Sequence, residues 1–288
     1  MNEASASRSL WSDAWLALRR NRAAMTAFVL LVGVALMVLF APWLSPHSFD
    51  FTDWDQISVA PSLSAGHPFG TDALGRDLFV RTLYGGRISL LIGVVATLVS
   101  LVIGISYGAI AGYLGGRIDQ VMMRIVDILY ALPFMFLVIL LMVFFGRNIL
   151  LIFVAIGAIN WLDMARIVRG QTMSLKEREF VEAARAGGVP TPRIIRRHIV
   201  PNLLGVVVIY VTLTIPQVIL VESFLSFLGL GVQEPMTSWG VLVNEGAQEM
   251  QNAPWMLIFP SLFLALTLFC FNFIGDGLRD ALDPRLNR

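Results

Sequence analysis

Few side chains in this sequence have the types and spacing that catalysis or metal binding requires. The three histidines, His47, His67 and His198, and the single cysteine, Cys270, lie far apart along the chain. Metal centres and nucleophilic enzymes both need such groups close together. The sequence therefore predicts no metal centre, no cofactor site and no catalytic residue. His198 is expected to be a structural residue at a helix end.

The sequence also lacks the motif for ATP binding by a P-loop. That motif, G-x-x-x-x-G-K-[ST], needs a glycine directly before its lysine because backbone N–H groups there cradle the phosphates. Lys176, within SLKER, is the only lysine of the chain and follows Leu175. Energy for any transport by this chain must therefore come from a partner or from an ion gradient.

The composition indicates that the chain consists of helices that lie in a membrane. Of the 288 residues, 57% are hydrophobic and only 14% are charged, with a mean hydropathy of +0.74. A soluble domain carries about 25% charged residues. The sequence therefore predicts an all-α polytopic membrane protein in a lipid bilayer. The net charge of +1 gives no indication of a nucleic-acid partner.

Six charge-poor runs are long enough to cross about 30 Å of hydrocarbon as helices. They comprise residues 23–45, 88–114, 121–145, 148–168, 199–221 and 254–275. The first run follows three arginines, as in a signal peptide. It is too long for a signal peptide and lacks a small-residue cleavage site, so an uncleaved anchor is expected.

The basic residues predict the orientation of these spans. Seventeen of the 21 Lys and Arg residues fall on one side if the N-terminus is cytoplasmic, and cytoplasmic loops carry such an excess. Both termini are therefore expected in the cytoplasm. The predicted organisation is a cytoplasmic tail with an interfacial helix (1–22), a first span (23–45), an outer loop (46–87), a core of five spans (88–278) that includes a cytoplasmic loop (170–200), and a cytoplasmic tail (279–288).

Two segments outside the spans have distinct patterns. Apolar residues at helical spacing in SRSLWSDAWLALRRN, from Leu10 to Leu18, predict a helix in the membrane interface. The alternative is a frayed tail. In the outer loop, Asp72 and Asp77 bracket Arg76, which is typical of a capped, solvated loop.

A stripe of small residues marks the second span. Such residues allow helix backbones to approach closely in lipid, so a neighbouring helix of this chain or of a partner is expected to fill the groove. The stripe consists of Ala96, Ser100, Gly104, Gly108 and Gly112.

Charged residues in the spans are functional candidates because they are costly in lipid. Asp127 and Asp163 lie three residues from Arg124 and Arg166, which predicts local ion pairs. Glu222 precedes SFLGLGVQEP, a glycine-broken stretch that is too short to cross and could form a re-entrant turn. Glu222 is thus a candidate for the transport path, the alternative being a carboxylate that caps or hydrates the end of its span.

The loop between the fourth and fifth spans predicts a knob of two short helices. Ser174 and Glu177 form a capping box for a helix through Ala186, which Gly187 and Gly188 would end. A second helix would start with Thr191 as its cap and Pro192 in its first turn, and Pro201 would close it. On the first helix Phe180, Ala183, Ala184 and Gly187 share one face, which suits insertion into a partner's groove. A solvated basic loop and a DNA-binding helix-turn-helix are the alternatives.

Several motifs then identify a family. Glu182-Ala183-Ala184 with Gly188 and Pro201 resembles the E-A-A-x-x-x-G loop of permease subunits in bacterial ABC importers, and His198–Pro201 is the form that the peptide branch has in place of I-x-L-P. The chain is similar over nearly its whole length to C-type permease subunits of oligopeptide and dipeptide importers. Further matching segments are FGTDALGRD, GGRISL, GYLGGRIDQVMMRIVDI, ESFLSFLGLGVQEP, SWG and FNFIGDGLRDALDPR.

This resemblance implies a type I ABC importer permease fold and an inward path for peptides. It implies a homologous second permease subunit, two ATPase subunits that bind ATP and Mg²⁺, and an extracytoplasmic peptide-binding protein. Glu182, Ala183, Ala184 and Gly188 would then form the contact with the ATPase, and we expect Arg178 and Arg185 to add charge at its rim. A nickel or other small-solute permease of the same family, or a secondary transporter without ATPases, is the alternative.

Overall fold

The computed structural model describes residues 10–146 and 149–282, which fold mainly into helices joined by irregular segments, the longest being residues 45–77. Two isolated β-bridges, Ser62 with His67 and Thr71 with Asp77, are the only strand-like pairings in these residues. The predicted all-α class is therefore confirmed. The helices are α1 (Leu10–Arg20), α2 (Arg22–Leu39), α3 (Ala41–Leu44), α4 (Leu78–Leu114), α5 (Gly116–Ala131), α6 (Phe134–Phe145), α7 (Ile149–Leu175), α8 (Glu179–Ala186), α9 (Thr191–Ile194), α10 (Val200–Phe227), α11 (Trp239–Gln248) and α12 (Trp255–Leu282).

Four helical stretches among the described residues are long and apolar enough to cross a membrane, judged by length and composition: α2, α4, the run from Thr191 to Phe227, and α12. The predicted span 121–145 is instead divided between α5 and α6. Pro133 lies at the break, where it has no N–H to continue the first helix. The count of six spans therefore stays a prediction.

The long helix α4 is the axis of the fold and packs most closely against α7. A Cβ atom added to Gly104 would lie 2.5 Å from Met164 Cβ, and one added to Gly112 would lie 2.6 Å from the Arg169 carbonyl oxygen. The predicted close approach along the small-residue stripe is thus confirmed, and α7 of the same chain fills the groove. Helix α4 begins at Leu78, inside the segment expected as an outer loop.

The N-terminal helices pack on α12 rather than on the small-residue stripe. Leu18 of α1 is buried, and Leu18 and Ala24 would both clash with a side chain at Gly277 of α12. Trp15 is 44% exposed on the same helix. The side chains of Leu10, Trp11 and Ala14 lie outside the described residues, so the interfacial role of α1 stays a prediction.

Candidate functional site

Two short helices form a compact unit, the helical knob (residues 176–199), beyond the C-terminal end of α4. Helix α7 continues to Leu175, and α8 begins at Glu179 with Arg178 as its extended N-cap residue. The predicted capping box is wrong. Ser174 lies inside α7, where its hydroxyl donates to the Gly170 carbonyl at 3.4 Å, because the buried Thr172 keeps this last turn packed on Gly112 of α4.

The end of α8 follows the prediction. Gly187 is its C-cap, and Gly188 has a φ of +74°, a conformation that glycine adopts without strain. The Val189 N–H donates to the Ala184 carbonyl at 3.1 Å, and the Gly188 N–H donates to the Arg185 carbonyl at 3.0 Å. These two bonds are those of a Schellman motif, which satisfies the last carbonyls of a helix. Gly188 therefore shapes the turn.

Val181 anchors the helical knob to the spans, a role that the sequence did not predict. Its side chain is buried against an apolar cluster that includes Tyr113, Ile194 and Leu203. Ala184, one turn later, packs against the same cluster. Ala184 is half-buried between this cluster and the surface, so its part in the predicted docking face stays a prediction. The spacing of Val181 and Ala184, three residues apart on one helix face, was the sequence signal that could have predicted this buried face.

The remaining predicted coupling residues lie together on the free surface of the helical knob. Glu182, Ala183, Arg185 and Gly188 are exposed, as is Arg178 at the start of α8. The Arg185 guanidinium carbon lies 5.6 Å from the centre of the Tyr113 ring at the end of α4. A charged, small-residue surface is thus fixed directly to the long helix.

A continuous helix leads out of the helical knob, contrary to the expected stop at Pro201. Pro190 is the N-cap of α9, and Thr191 is its first residue rather than its cap, with Pro192 in the first turn as predicted. Ile195–Ile199 form a π-helical turn, in which the Val200 N–H donates to the Ile195 carbonyl, and α10 follows without a break. This wider turn accommodates Pro201, which has no N–H.

His198 consequently lies within a helical run and not at a helix end, as was expected. Its carbonyl oxygen accepts a hydrogen bond from the Asn202 side-chain amide at 2.7 Å. Because the helix continues into α10, there is no helix C-terminus at His198, and that expectation is wrong.

Charged pairs tie α5 to α7 close to the helical knob. The Arg169 guanidinium donates two bonds to the buried Asp119 carboxylate, the Nη2 bond being 2.6 Å long. Arg166 Nη2 lies 2.8 Å from Asp127 Oδ1. The predicted local pairing of Asp127 with Arg124 and of Asp163 with Arg166 is therefore wrong, since Arg166 reaches across to the neighbouring helix.

Glu222 lies inside the chain, at the junction of α4, α10 and α11. It is fully buried, and its carboxylate accepts hydrogen bonds from Ser226 at 2.7 Å and from Ser89 at 3.1 Å. The Ser89 hydroxyl also accepts a bond from the Trp239 N–H at 3.2 Å. The role of Glu222 in a transport path stays a prediction.

At the opposite end of α4, two segments form an acidic layer (residues 46–77 and 228–254). The Arg76 guanidinium binds Asp72 at 2.7 Å and Glu234 at 2.9 Å, while Arg81 binds Asp72 and, at 2.7 Å, Glu245. Burial lowers the pKa of Arg76, but the Asp72 and Glu234 carboxylates outweigh burial and raise that pKa. The segment expected to be a solvated loop is therefore part of a buried network of ion pairs. The spacing of the residues in the sequence could not predict this network.

Histidines also meet in the acidic layer, although the sequence predicted that they lie apart. The rings of His47 and His67 stack with centroids 4.7 Å apart. His67 Nδ1 lies 2.6 Å from Asp77 Oδ2. Asp77 is the N-cap of α4, and its other oxygen accepts the Val80 N–H at 2.8 Å. The end of α3 and the start of α4 thus bring together groups thirty residues apart.

Two protein-family models match this chain. Residues 104–288 match the model described as "Binding-protein-dependent transport system inner membrane component". Residues 9–61 match "N-terminal TM domain of oligopeptide transport permease C". Together the two matches include α1, the helical knob and α12.

Curated relatives align over nearly the whole chain. The oligopeptide transport system permease protein OppC of Escherichia coli (strain K12) is 62% identical over 278 residues, 96% of this chain and 92% of the relative. The protein of the same name from Haemophilus influenzae is 59% identical and covers 96% of this chain and 89% of its own. The dipeptide transport system permease protein DppC of Bacillus subtilis is 48% identical over 98% of this chain and 88% of its own.

A solved structure has the same fold. An inward-facing conformation of the MetNI methionine ABC transporter matches with a TM-score of 0.57 and 21% sequence identity. The match covers 72% of this chain and 96% of that chain. The type I importer permease fold expected from the sequence is therefore confirmed.

Proposed function

The chain belongs to the family of binding-protein-dependent transport system inner membrane components, and from that premise we propose that it conducts oligopeptides inward across a bacterial cytoplasmic membrane. It is a permease subunit of an ABC importer. The names of the relatives, which specify oligopeptide and dipeptide transport, favour peptide cargo over nickel or another small solute. The match to curated ABC importer permeases over 96% of the chain also favours an ATP-driven importer over a secondary transporter.

The helical knob is the element that couples this chain to an ATPase subunit. The observation that carries this proposal is the arrangement of α8: Val181 is buried in the core of the spans, while Glu182, Ala183 and Arg185 are exposed beside it. The short side chain of Ala183 lets a partner's backbone approach closely. Glu182 and Arg185 on either side of it can form charge pairs at the rim of the contact. Force applied to α8 would reach α4 and α10 through the cluster around Val181.

The assembly proposed here follows the family. A homologous second permease subunit completes the path, two ATPase subunits bind ATP with Mg²⁺, and an extracytoplasmic protein delivers peptide. Both termini and the helical knob face the cytoplasm, which the excess of basic residues on that side supports. The acidic layer then faces outward, and Glu222 lies near the outer end of the path.

Co-purification tests the coupling role. The chain, produced with its importer partners, is captured from solubilised membranes, and the recovered ATPase is quantified. Glu182→Arg and Ala183→Arg place a large cation on the exposed face of α8 and leave Val181 intact. The matched control, Asp55→Arg, makes the same reversal of charge at an exposed position of the acidic layer.

We expect Glu182→Arg and Ala183→Arg to lower ATPase recovery at least tenfold, while Asp55→Arg leaves it unchanged. Peptide uptake into proteoliposomes should fall in parallel with ATPase recovery. Equal recovery from all four chains would show that the ATPase docks elsewhere. Peptide uptake without any recovered ATPase would favour a secondary transporter.

A further inference from the structure

Three titratable side chains of the acidic layer converge on one small cavity. His47, His67 and Asp77 each offer a ligand atom, and these atoms lie within 4.8 Å of one another. His67 and Asp77 are buried and His47 is half-buried. The cavity measures about 90 Å³ and is also lined by Asp53. The coupling role proposed for the helical knob makes no use of this cluster.

The contact between His67 and Asp77 orients the imidazole for metal binding. With Nδ1 held 2.6 Å from Asp77 Oδ2, the other ring nitrogen, Nε2, is left available as a ligand. Metal-bound histidines usually donate their second nitrogen to a carboxylate in this way. Asp77 is itself fixed, because it caps α4 through the Val80 N–H. The backbone of His67 is held by two bonds to Ser62, of 2.9 and 3.0 Å.

His47 supplies a second nitrogen from a different part of the chain. It follows α3, and its ring lies over that of His67 at an angle of 26°. Two ligands of a tetrahedral zinc ion lie about 3.3 Å apart, given Zn–N bonds of about 2.0 Å. Ligand atoms of the two histidines lie within 4.8 Å of each other, so the half-buried His47 ring must rotate to bring both nitrogens onto one ion.

We propose that His47 and His67, with Asp77 as the orienting carboxylate, bind a divalent transition-metal ion. Imidazole ligands select zinc, copper or nickel over calcium and magnesium, which prefer oxygen. The ion links the segment that follows α3 to the start of α4. It is a resident structural ion of the acidic layer and is separate from the transported solute.

Zinc titration of the purified full-length chain tests this site. The chain carries an affinity tag without histidine, is stripped with EDTA, and competes for Zn²⁺ with a fluorescent chelator. His47→Ala and His67→Ala each remove one ligand. Asp77→Asn retains a residue that caps α4 but removes the orienting charge. His198→Ala removes the third histidine of the chain and serves as the matched control.

We expect one Zn²⁺ per chain, an affinity at least tenfold weaker in His47→Ala and His67→Ala, and a 10- to 100-fold loss in Asp77→Asn. His198→Ala should bind as the unaltered chain does. Because His67→Ala could disturb folding, His47→Ala at the edge of the cavity carries the decisive comparison. Sub-stoichiometric binding, equal affinity in His47→Ala, or loss of binding in His198→Ala would overturn the proposal.

Nitrogen hyperfine coupling gives a second readout. Cu²⁺ added to the stripped chain should show two coupled imidazole nitrogens in its electron paramagnetic resonance spectrum, and one in His47→Ala. A spectrum without imidazole coupling would also overturn the proposal. Neither readout depends on ATPase binding or on peptide uptake, so this inference fails or stands independently of the proposed function.

Discussion

The acidic layer and the helical knob lie at the two ends of α4 and use charge in opposite ways. Next to the acidic layer, Arg81 of α4 is 1% exposed and binds two carboxylates of that layer, which are 9 and 164 residues away in sequence. In the helical knob, Glu182 and Arg185 are exposed, and the apolar Val181 holds the unit in place. Buried paired charges are costly to break, whereas exposed charges contribute little to stability. One end is thus held together by buried ion pairs, and the other presents exposed charges.

Removal of Arg81 should have the largest effect on stability. Arg81→Ala removes the buried cation that joins Asp72 to Glu245. It leaves Asp72 with Arg76 at 2.7 Å and Glu245 with Arg76 at only 3.9 Å. Breaking a buried pair in this way costs about 3–5 kcal/mol. Thermal and denaturant unfolding in detergent measure the loss. Glu182→Ala, at the other end, is the control and should change the free energy of unfolding by less than about 0.5 kcal/mol. Similar losses in the two variants would contradict the contrast between the two ends.

Gly112→Ala should destabilise the contact that joins α4 to α7 beside the helical knob. The new methyl would lie 2.6 Å from the Arg169 carbonyl oxygen, and overpacking of this kind costs about 1–3 kcal/mol. Gly33→Ala in α2 is the matched control, because a Cβ there meets nothing within 4 Å. Both variants gain the same helix propensity, so a loss in Gly112→Ala alone isolates the steric term.

Val181→Ala should loosen the helical knob while leaving the acidic layer intact. Two buried methyl groups are removed, at about 0.8 kcal/mol for each, so α8 should open more often. Hydrogen exchange followed by mass spectrometry should show faster exchange in residues 179–189, with no change in residues 70–82. Faster exchange in both segments would mean that the two ends unfold as one unit.

Arg185→Ala should have the smallest effect. It removes an exposed cation near Tyr113, a contact worth about 0.5 kcal/mol. The melting temperature should therefore remain within about 2 °C of that of the unaltered chain. Arg178→Ala, an exposed arginine on the same helical knob, is the control. A large drop in melting temperature for Arg185→Ala would show that this side chain stabilises the fold and is not reserved for a partner.

Features with local causes were predictable from the sequence. Gly187 and Gly188 end α8 because the required conformation is nearly specific to glycine, and the small-residue stripe of α4 packs closely because its side chains are short. Pro133 divides the predicted third span, and its position was readable in advance. These effects depend on one residue and its immediate neighbours along the helix.

Features that depend on distant residues were not predictable. Arg81 meets Glu245 and His47 meets His67 only after α4, α11 and the segment following α3 have packed together. The capping box at Ser174 was wrongly predicted for the same reason. The spacing of Ser174 from Glu177 fits a capping box, but the packing of α7 on α4 extends α7 past Ser174. Tertiary packing decided between two locally reasonable structures.

The length of α4 gives the two ends a mechanical relation. Its 37 residues span about 55 Å at 1.5 Å per residue, with the Arg81 network near one terminus and Tyr113 near the other. Tyr113 lies 32 residues beyond Arg81, about 48 Å along the helix, so a tilt of about 5° that pivots at Arg81 would displace Tyr113 by about 4 Å. A slight reorientation of α4 at the Arg81 network would therefore become a larger displacement at the helical knob.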